Sequence, residues 1–118
     1  MPANLDQLLQ EFSEYLEIEK GRSQKTIDNY KFYLGRFLKW SGLTRPQDIS
    51  LEVIRNFRLG LNRQVSQSKQ PLKKNTQNYH LIALRSWLKY MARRDVLTLS
   101  PEKIELAKSA GRSVEFLE

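Results

Sequence analysis

The chain has 118 residues, the size of one domain, and can bury a hydrophobic core without disulfides or metal ions. It contains no cysteine, which excludes disulfide frameworks, thiolate catalysis and cysteine-ligated zinc, and fits a reducing, cytoplasmic setting. No window approaches the roughly 20 apolar residues of a membrane span, so we expect a soluble protein without a membrane partner.

The net charge of +7 is concentrated in the middle of the chain. Residues 1–20 carry one basic and five acidic side chains, residues 21–99 carry sixteen basic and four acidic, and residues 100–118 carry three and four. Clustered basic charge is typical of a protein that binds a polyanion. A solubilising surface would explain the same charge equally well.

The first predicted helix covers residues 5–20. Asn4 is a favourable N-cap, and Gln7 three residues later completes a capping-box pattern. Apolar residues follow at helical spacing and leave an acidic outer face, and Gly21 ends the helix. Because that face is negative, we expect it to meet the core or another protein rather than phosphate.

A second helix is predicted from the N-cap Ser23 to Ser41, closed by Gly42. Its outer side is mostly basic and includes the aromatic Phe32. An aromatic side chain among basic residues can stack on a base or a sugar, but we favour the interpretation that Phe32 covers a neighbouring helix.

The third predicted helix begins after Ser50, with Ile49 and Ile54 at the positions of a hydrophobic staple. Gly60 should make it fray or end soon afterwards. Residues 62–71 are polar, and we predict a mobile loop that could become ordered on a ligand.

The stretch from Lys73 to Val96 predicts the central helix of the fold. Apolar residues cover more than half of its circumference, with Trp87 in the core. A narrow polar strip remains, formed by Asn78, Arg85, Lys89 and Arg93. Beyond it, Ser100 followed by Pro101 predicts a brief helix over 101–108, and 109–118 reads as a linker. No strand pattern or internal repeat competes.

Catalytic chemistry finds little support in this sequence. The one histidine, His80, has no second histidine or cysteine with which to form a metal site or a triad. No glycine-rich phosphate loop is present. We therefore predict no catalytic residue, metal site or cofactor, and we expect His80 at the surface or boundary of its helix.

Binding chemistry is better supplied, because the second and fourth helices both begin with basic and short polar residues. A helix start offers backbone N–H groups and a positive dipole end to a phosphate, while Asn can read adenine and Lys or Arg can read guanine. We expect Ser23 and Asn75 to act as N-caps. The candidate DNA-binding residues are Arg22, Ser23, Lys25, Thr26, Asn29, Lys73, Lys74, Asn75, Thr76, Asn78 and Arg85.

Two motifs carry a family resemblance: Ser23-Gln-Lys-Thr26-Ile27-x-x-Tyr30 with Leu34 and Phe37-Leu38, and Asn75-Thr76-x-Asn78-x-x-Leu81-x-Ala83-Leu84-Arg85-x-Trp87-Leu88-x-Tyr90. Together they resemble the N-terminal core-binding domain of tyrosine recombinases, the phage-integrase and Xer-type family. The segment from Arg112 to Leu117 is similar to the one that leads into the catalytic domain in that family.

The resemblance implies an all-α, SAM-like bundle of four to five helices over residues 1–108, arranged as two crossed helical hairpins. In the family this domain is half of a C-shaped clamp on double-stranded DNA, with the second and fourth helices facing the major groove near the strand-exchange site. The catalytic residues lie in a C-terminal domain, so this chain alone is expected not to be an enzyme. The isolated domain should be monomeric and the parent recombinase multimeric on DNA.

Two other functions stay open at this stage. The chain could be a helical protein-interaction domain without nucleic-acid binding, docking through the acidic first helix or the helix that carries Phe57. It could also bind a single strand or RNA, although Phe32 is the one exposed aromatic platform that the sequence suggests.

Overall fold

The computed structural model describes residues 4–63 and 73–106. These ranges contain four α-helices and two 3-10 turns: α1 (Leu5–Ile18), α2 (Gln24–Ser41), α3 (Leu51–Arg63), α4 (Lys74–Arg93), and the turns Pro46–Asp48 and Pro101–Lys103. No strand occurs within the two described ranges. The predicted all-α, SAM-like bundle is confirmed.

The caps of the first hairpin form largely as predicted. The Asn4 Oδ1 accepts a hydrogen bond from the Gln7 backbone N at 2.8 Å. The Gln7 side chain donates to Glu11 at 3.2 Å rather than back to Asn4, so only half of the capping box forms. Ser23 Oγ accepts from the Thr26 backbone N at 3.2 Å. Gly42 closes α2 with a φ of 68°, a left-handed conformation that favours glycine.

Helix α4 is the centre of the bundle, as its apolar pattern predicts. It packs against α1, α2, α3 and the Pro101–Lys103 turn. Trp87 is completely buried, and its Nε1–H donates to the backbone oxygen of Leu8 at 3.4 Å. The aromatic side chain therefore ties α4 to α1 through both apolar contact and a hydrogen bond.

The predicted polar strip of α4 is too wide, because Asn78 has no exposed surface. His80 is equally buried, so its predicted place at the surface or boundary is wrong. The ring of His80 lies 4.6 Å from that of Tyr33 on α2 and 6.1 Å from that of Phe57 on α3. The first half of α4 is thus enclosed by two helices at once, and periodicity within one helix does not reveal a second neighbour.

Helix α3 forms from the predicted cap and staple. Ser50 Oγ accepts from the Val53 backbone N at 3.2 Å, and Ile49 and Ile54 are both buried. The helix passes Gly60 and ends at Arg63, so the first two residues of the predicted 62–71 loop are helical. The rest of that loop lies outside the described residues.

The segment after α4 returns across the bundle. A single 3-10 turn, Pro101–Lys103, stands where a helix over 101–108 was predicted, and Ile104 behind it is buried. Thr98 Oγ1 donates to the backbone oxygen of Pro46 at 2.8 Å, which joins this segment to the turn after α2. Residues 107–118, with the predicted linker, lie outside the described residues. None of the described helices is long and apolar enough to cross a membrane.

Candidate nucleic-acid interface

Helices α2 and α4 run antiparallel and share one face of the bundle, which we call the α2–α4 face. Tyr33 in the middle of α2 lies against Tyr79 near the start of α4, with 6.3 Å between ring centroids. Arg22, just before α2, lines a cavity of about 330 Å³ with Lys89 and Arg93 from the end of α4. The start of each helix therefore lies beside the later part of the other.

This arrangement separates the two basic helix starts. Helix α4 has 20 residues and so is about 30 Å long. The start of α2 meets the basic end of α4, while the start of α4 lies toward the second half of α2. The predicted site is therefore an extended face with basic residues at both ends rather than one compact cluster.

The candidate residues differ in exposure. Six are exposed, three are half-buried, and Thr26 and Asn78 are buried. The exposed ones are Arg22, Ser23, Lys25, Lys73, Lys74 and Asn75, and the half-buried ones are Asn29, Thr76 and Arg85. Thr26 keeps 4% of its surface and Asn78 none, so neither side chain is placed to read a DNA edge in this conformation.

The buried Thr26 serves the cap of α2. The Ser23 hydroxyl lies 3.1 Å from Thr26 Oγ1, and the same Ser23 oxygen accepts the Thr26 backbone N–H. A side chain that closes a cap in this way is used for helix stability. Thr26, one of the candidate DNA-binding residues, therefore lies buried at the cap of α2.

The start of α4 differs from the prediction in its cap. Lys73 occupies the N-cap position, and Asn75 is the second helical residue. Lysine has no acceptor, and among the described residues no side chain caps this helix. The first backbone N–H groups of a helix lack partners within it, so this end suits an anion. Asn75 is not the N-cap, and its exposed amide is available for other contacts.

His80 connects the first turn of α4 to α2. Its Nδ1 lies 2.8 Å from the Thr76 carbonyl oxygen, which can only accept, so Nδ1 carries the proton. Nε2 then accepts from the Arg36 guanidinium, 3.4 Å away. Burial lowers the pKa of His80, and the charge of Arg36 lowers it further, although the Thr76 hydrogen bond acts in the opposite direction. A neutral His80 thus holds Arg36 in place.

Arg36 is a further functional candidate, absent from the residues predicted from the sequence. Its guanidinium also lies over the Phe32 ring, 5.1 Å from the centroid. Phe32 itself is 56% exposed, so the interpretation that it covers a neighbouring helix is wrong. The (i, i+4) spacing of Phe32 and Arg36 was visible in the sequence, but the contact between Arg36 and His80, 44 residues apart, was not.

Arg85 has a structural partner in the exit segment. Its Nη1 donates to the backbone oxygen of Ile104 at 3.5 Å, and Arg58 on α3 donates to the neighbouring carbonyl of Glu105. The two arginines fasten residues 104–105 to the bundle. Lys89 and Arg93, by contrast, are exposed at the end of α4 beside Arg22, and they are stronger candidates for a polyanion than Arg85.

Most of the acidic charge of the first 20 residues lies on α1. Asp6, Glu14 and Glu17 are exposed there, and Glu11 lies 3.9 Å from Arg94. Glu11, Glu14 and Glu19 line one cavity with Arg93 and Arg94, so acidic side chains border the end of α4. The first turn of α4 contains no acidic residue, so basic charge is least opposed there. The described residues contain no cluster of histidine and carboxylate side chains that could hold a metal ion.

Comparison with known proteins agrees with this architecture. Residues 9–95 match the family described as phage integrase, N-terminal SAM-like domain. No solved structure matches the chain significantly.

Two curated relatives carry the name tyrosine recombinase XerC. The protein from Actinobacillus pleuropneumoniae serotype 7 (strain AP76) is 30% identical over 92 residues, covering 75% of this chain and 28% of the relative. The protein from Anoxybacillus flavithermus (strain DSM 21510 / WK1) is 29% identical over 118 residues, covering 97% of this chain and 37% of the relative. The chain thus spans about a third of the length of these recombinases. It belongs to the phage integrase N-terminal SAM-like domain family.

Proposed function

We propose that this chain is the core-binding domain of a site-specific tyrosine recombinase and that it grips duplex DNA through the α2–α4 face. The observation that carries the proposal is the exposed basic charge at both ends of that face. Lys73 and Lys74 are exposed at the start of α4, and Arg22, Lys89 and Arg93 are exposed at its other end. Exposed basic side chains of this kind attract phosphates.

Affinity in this proposal comes mainly from phosphate contacts. Lys73 and Lys74 lie at an α4 start that has no side-chain cap, and Arg22, Lys89 and Arg93 lie at the opposite end. Each neutralised phosphate releases a counterion, so binding should weaken steeply as salt increases.

Base reading in this proposal depends on fewer residues than the eleven candidates predicted from the sequence. Asn75 is exposed and Asn29 is half-buried, and the Arg36 guanidinium contacts His80 Nε2 at 3.4 Å. Amide and guanidinium groups suit adenine and guanine edges in the major groove. We propose these three as the residues that tune sequence preference.

The activity of the whole protein is part of the same proposal. The matched relatives are named tyrosine recombinases, and strand cleavage and rejoining in the parent protein would be performed by a separate catalytic domain. The parent would assemble as a multimer on DNA, with this domain supplying grip and position. The isolated domain forms only half of the clamp, so it should bind duplex DNA weakly and with strong salt dependence.

The test is a titration of the folded chain with a mixed-sequence duplex at several salt concentrations. The double variant Lys73→Ala/Lys74→Ala should bind more weakly and lower the slope of log K against log salt by about two. The matched control is Arg55→Ala/Lys103→Ala, which removes the same charge from two exposed residues outside the α2–α4 face.

The control should keep most of the wild-type slope. Binding without salt dependence, or equal losses for the two double variants, would contradict an interface at the start of α4. Backbone amide shifts recorded during the same titration should map to α2 and α4. Shifts confined to α1 would favour the protein-interaction alternative.

A further inference from the structure

A groove with a volume of about 740 Å³ lies between the second half of α2 and α3, and we call it the α2–α3 groove. Two large aromatic side chains of α2, Phe32 and Trp40, line it and are 56% and 47% exposed. Exposed apolar side chains that cluster on one surface mark a binding site more often than scattered single ones do. Both rings therefore offer surface that a bound partner can cover.

Basic side chains lie between and beside the two aromatic rings. Lys31, Arg36 and Lys39 line the same groove, and none of its described lining residues is acidic. The Arg36 guanidinium lies over the Phe32 ring, 5.1 Å from the centroid. Phe32, Arg36 and Trp40 follow one another at a spacing of four residues, so they form one row along α2 that is about 12 Å long.

This row of aromatic faces and positive charge suits single-stranded nucleic acid. The bases of a single strand stack on aromatic side chains or on an arginine plane, while its phosphates pair with lysine and arginine. A duplex cannot use the aromatic rings in this way, because neighbouring base pairs cover its base faces and leave only the base edges accessible. The exposed rings therefore favour unpaired bases as the occupants of the groove.

We propose that the α2–α3 groove binds single-stranded DNA, with bases stacked on Phe32 and Trp40 and phosphates paired with the basic side chains around them. The groove adjoins the α2–α4 face, because Arg36 lines the groove and its guanidinium also contacts His80 of α4. A strand that separates from a duplex on that face would reach the groove directly. The choice of DNA over RNA rests on the proposed function, whereas the single-strand site itself does not.

The fold provides the second aromatic platform that this binding needs. The sequence suggests Phe32 alone as an exposed platform, and the structure adds Trp40 in the same groove. The Trp40 ring packs against Phe57 of α3, with 5.3 Å between ring centroids, and keeps 47% of its surface exposed. A ring held by a neighbour in this way loses little conformational freedom when a base stacks on it.

Tryptophan fluorescence tests the stacking directly. The chain has two tryptophans, and Trp87 is fully buried, so Trp40 is the one that a bound base can meet. Titration with a short oligothymidylate should quench the Trp40 emission. Trp40→Phe keeps an aromatic platform, so it should bind a labelled oligothymidylate within about threefold of the wild type, measured by fluorescence anisotropy, but without quenching.

Loss of either platform should weaken single-strand binding. Trp40→Ala and Phe32→Ala should each lower the affinity for oligothymidylate about tenfold, the effect expected when one stacked base loses its aromatic partner. Trp40→Ala should leave the affinity for a mixed-sequence duplex unchanged. The matched control is Leu51→Ala, which truncates another exposed apolar side chain at the far end of α3 and should bind oligothymidylate like the wild type.

The proposal fails if oligothymidylate does not bind the wild type, or if it binds without quenching Trp40. Equal losses of single-strand and duplex affinity in Trp40→Ala would instead place Trp40 in the duplex interface. Tighter binding of oligouridylate than of oligothymidylate would make the groove an RNA surface.

The titrations with single strand and with duplex are separate, so failure of this inference is distinguishable from failure of the proposed function. A wild type that binds oligothymidylate with quenching, but shows no salt-dependent duplex affinity, would contradict the proposed duplex function and keep the single-strand site. Salt-dependent duplex affinity without any oligothymidylate binding would contradict the single-strand site alone.

Discussion

The two tryptophans, Trp87 and Trp40, differ in burial and should therefore differ in their contribution to stability. Trp87 is fully buried and hydrogen-bonded to the Leu8 carbonyl, whereas Trp40 is 47% exposed beside Phe57 of α3. Trp87→Ala should lower the free energy of unfolding by about 3–5 kcal/mol, because it opens a cavity where α4 meets α1. Trp40→Ala should cost about 1 kcal/mol. Urea denaturation of both variants tests this, and equal losses would contradict the assigned core.

His80 should make the fold less stable as the pH is lowered. Burial lowers its pKa in the folded state below the ordinary value of about 6.5, so the unfolded chain binds the proton more readily. The neutral His80 therefore contributes fully to the free energy of unfolding at pH values above its ordinary pKa. This contribution is lost as the pH falls toward the pKa of the folded state. Urea denaturation from pH 7.5 to 5.5 should show this loss. His80→Gln should flatten the decline, and an unchanged decline would assign it to other groups.

At the level of single residues, the sequence predicts the apolar core well and the buried polar residues poorly. The helical period identifies Trp87 and the other large apolar side chains of α4. It cannot distinguish a polar side chain in water from one enclosed by a second helix, which is why Asn78 and His80 were placed at the surface. The contact between Arg36 and His80 depends on the approach of α2 to α4, which neither local sequence contains.

Helix α2 contains a glycine that its fold does not require. Gly35 is helical, and a β-carbon there would meet nothing within 4 Å. Gly35→Ala should therefore raise the free energy of unfolding by about 0.5–1 kcal/mol, since alanine loses less conformational freedom in a helix. Chemical denaturation measures the change. Gly42→Ala is the contrasting control, because its φ of 68° strains any other residue and should make that variant less stable.

Helix boundaries were predictable where a short polar side chain caps the helix, and less so elsewhere. Asn4, Ser23 and Ser50 each accept the backbone hydrogen bond expected of them. At α4 the helix begins one residue before Asn75, so Lys73 takes the cap position despite having no acceptor. Tertiary contacts support this part of α4, because the His80 ring packs against Tyr33 on α2 and Phe57 on α3.

At the scale of the whole molecule, the antiparallel pairing of α2 and α4 changes the predicted interface most. The sequence identifies two basic helix starts, and the family resemblance implies that both helices face the duplex. Because the two helices run antiparallel, the basic end of α4 lies beside the basic start of α2 and is included in the proposed interface. Lys89 and Arg93, which the sequence places on the polar strip of α4, thereby lie beside Arg22.

The extended interface predicts that the two ends of α4 contribute alike to DNA affinity. Lys89→Ala/Arg93→Ala should lower the slope of log K against log salt by about two, as Lys73→Ala/Lys74→Ala does, because each variant removes two charges from the same face. Titration with one duplex under identical salt conditions makes the comparison, with thermal unfolding to confirm that both variants fold. If only the Lys73/Lys74 variant changes the slope, the duplex contacts the start of α4 without reaching its end, and the site is then a compact one around Arg36 and Asn75.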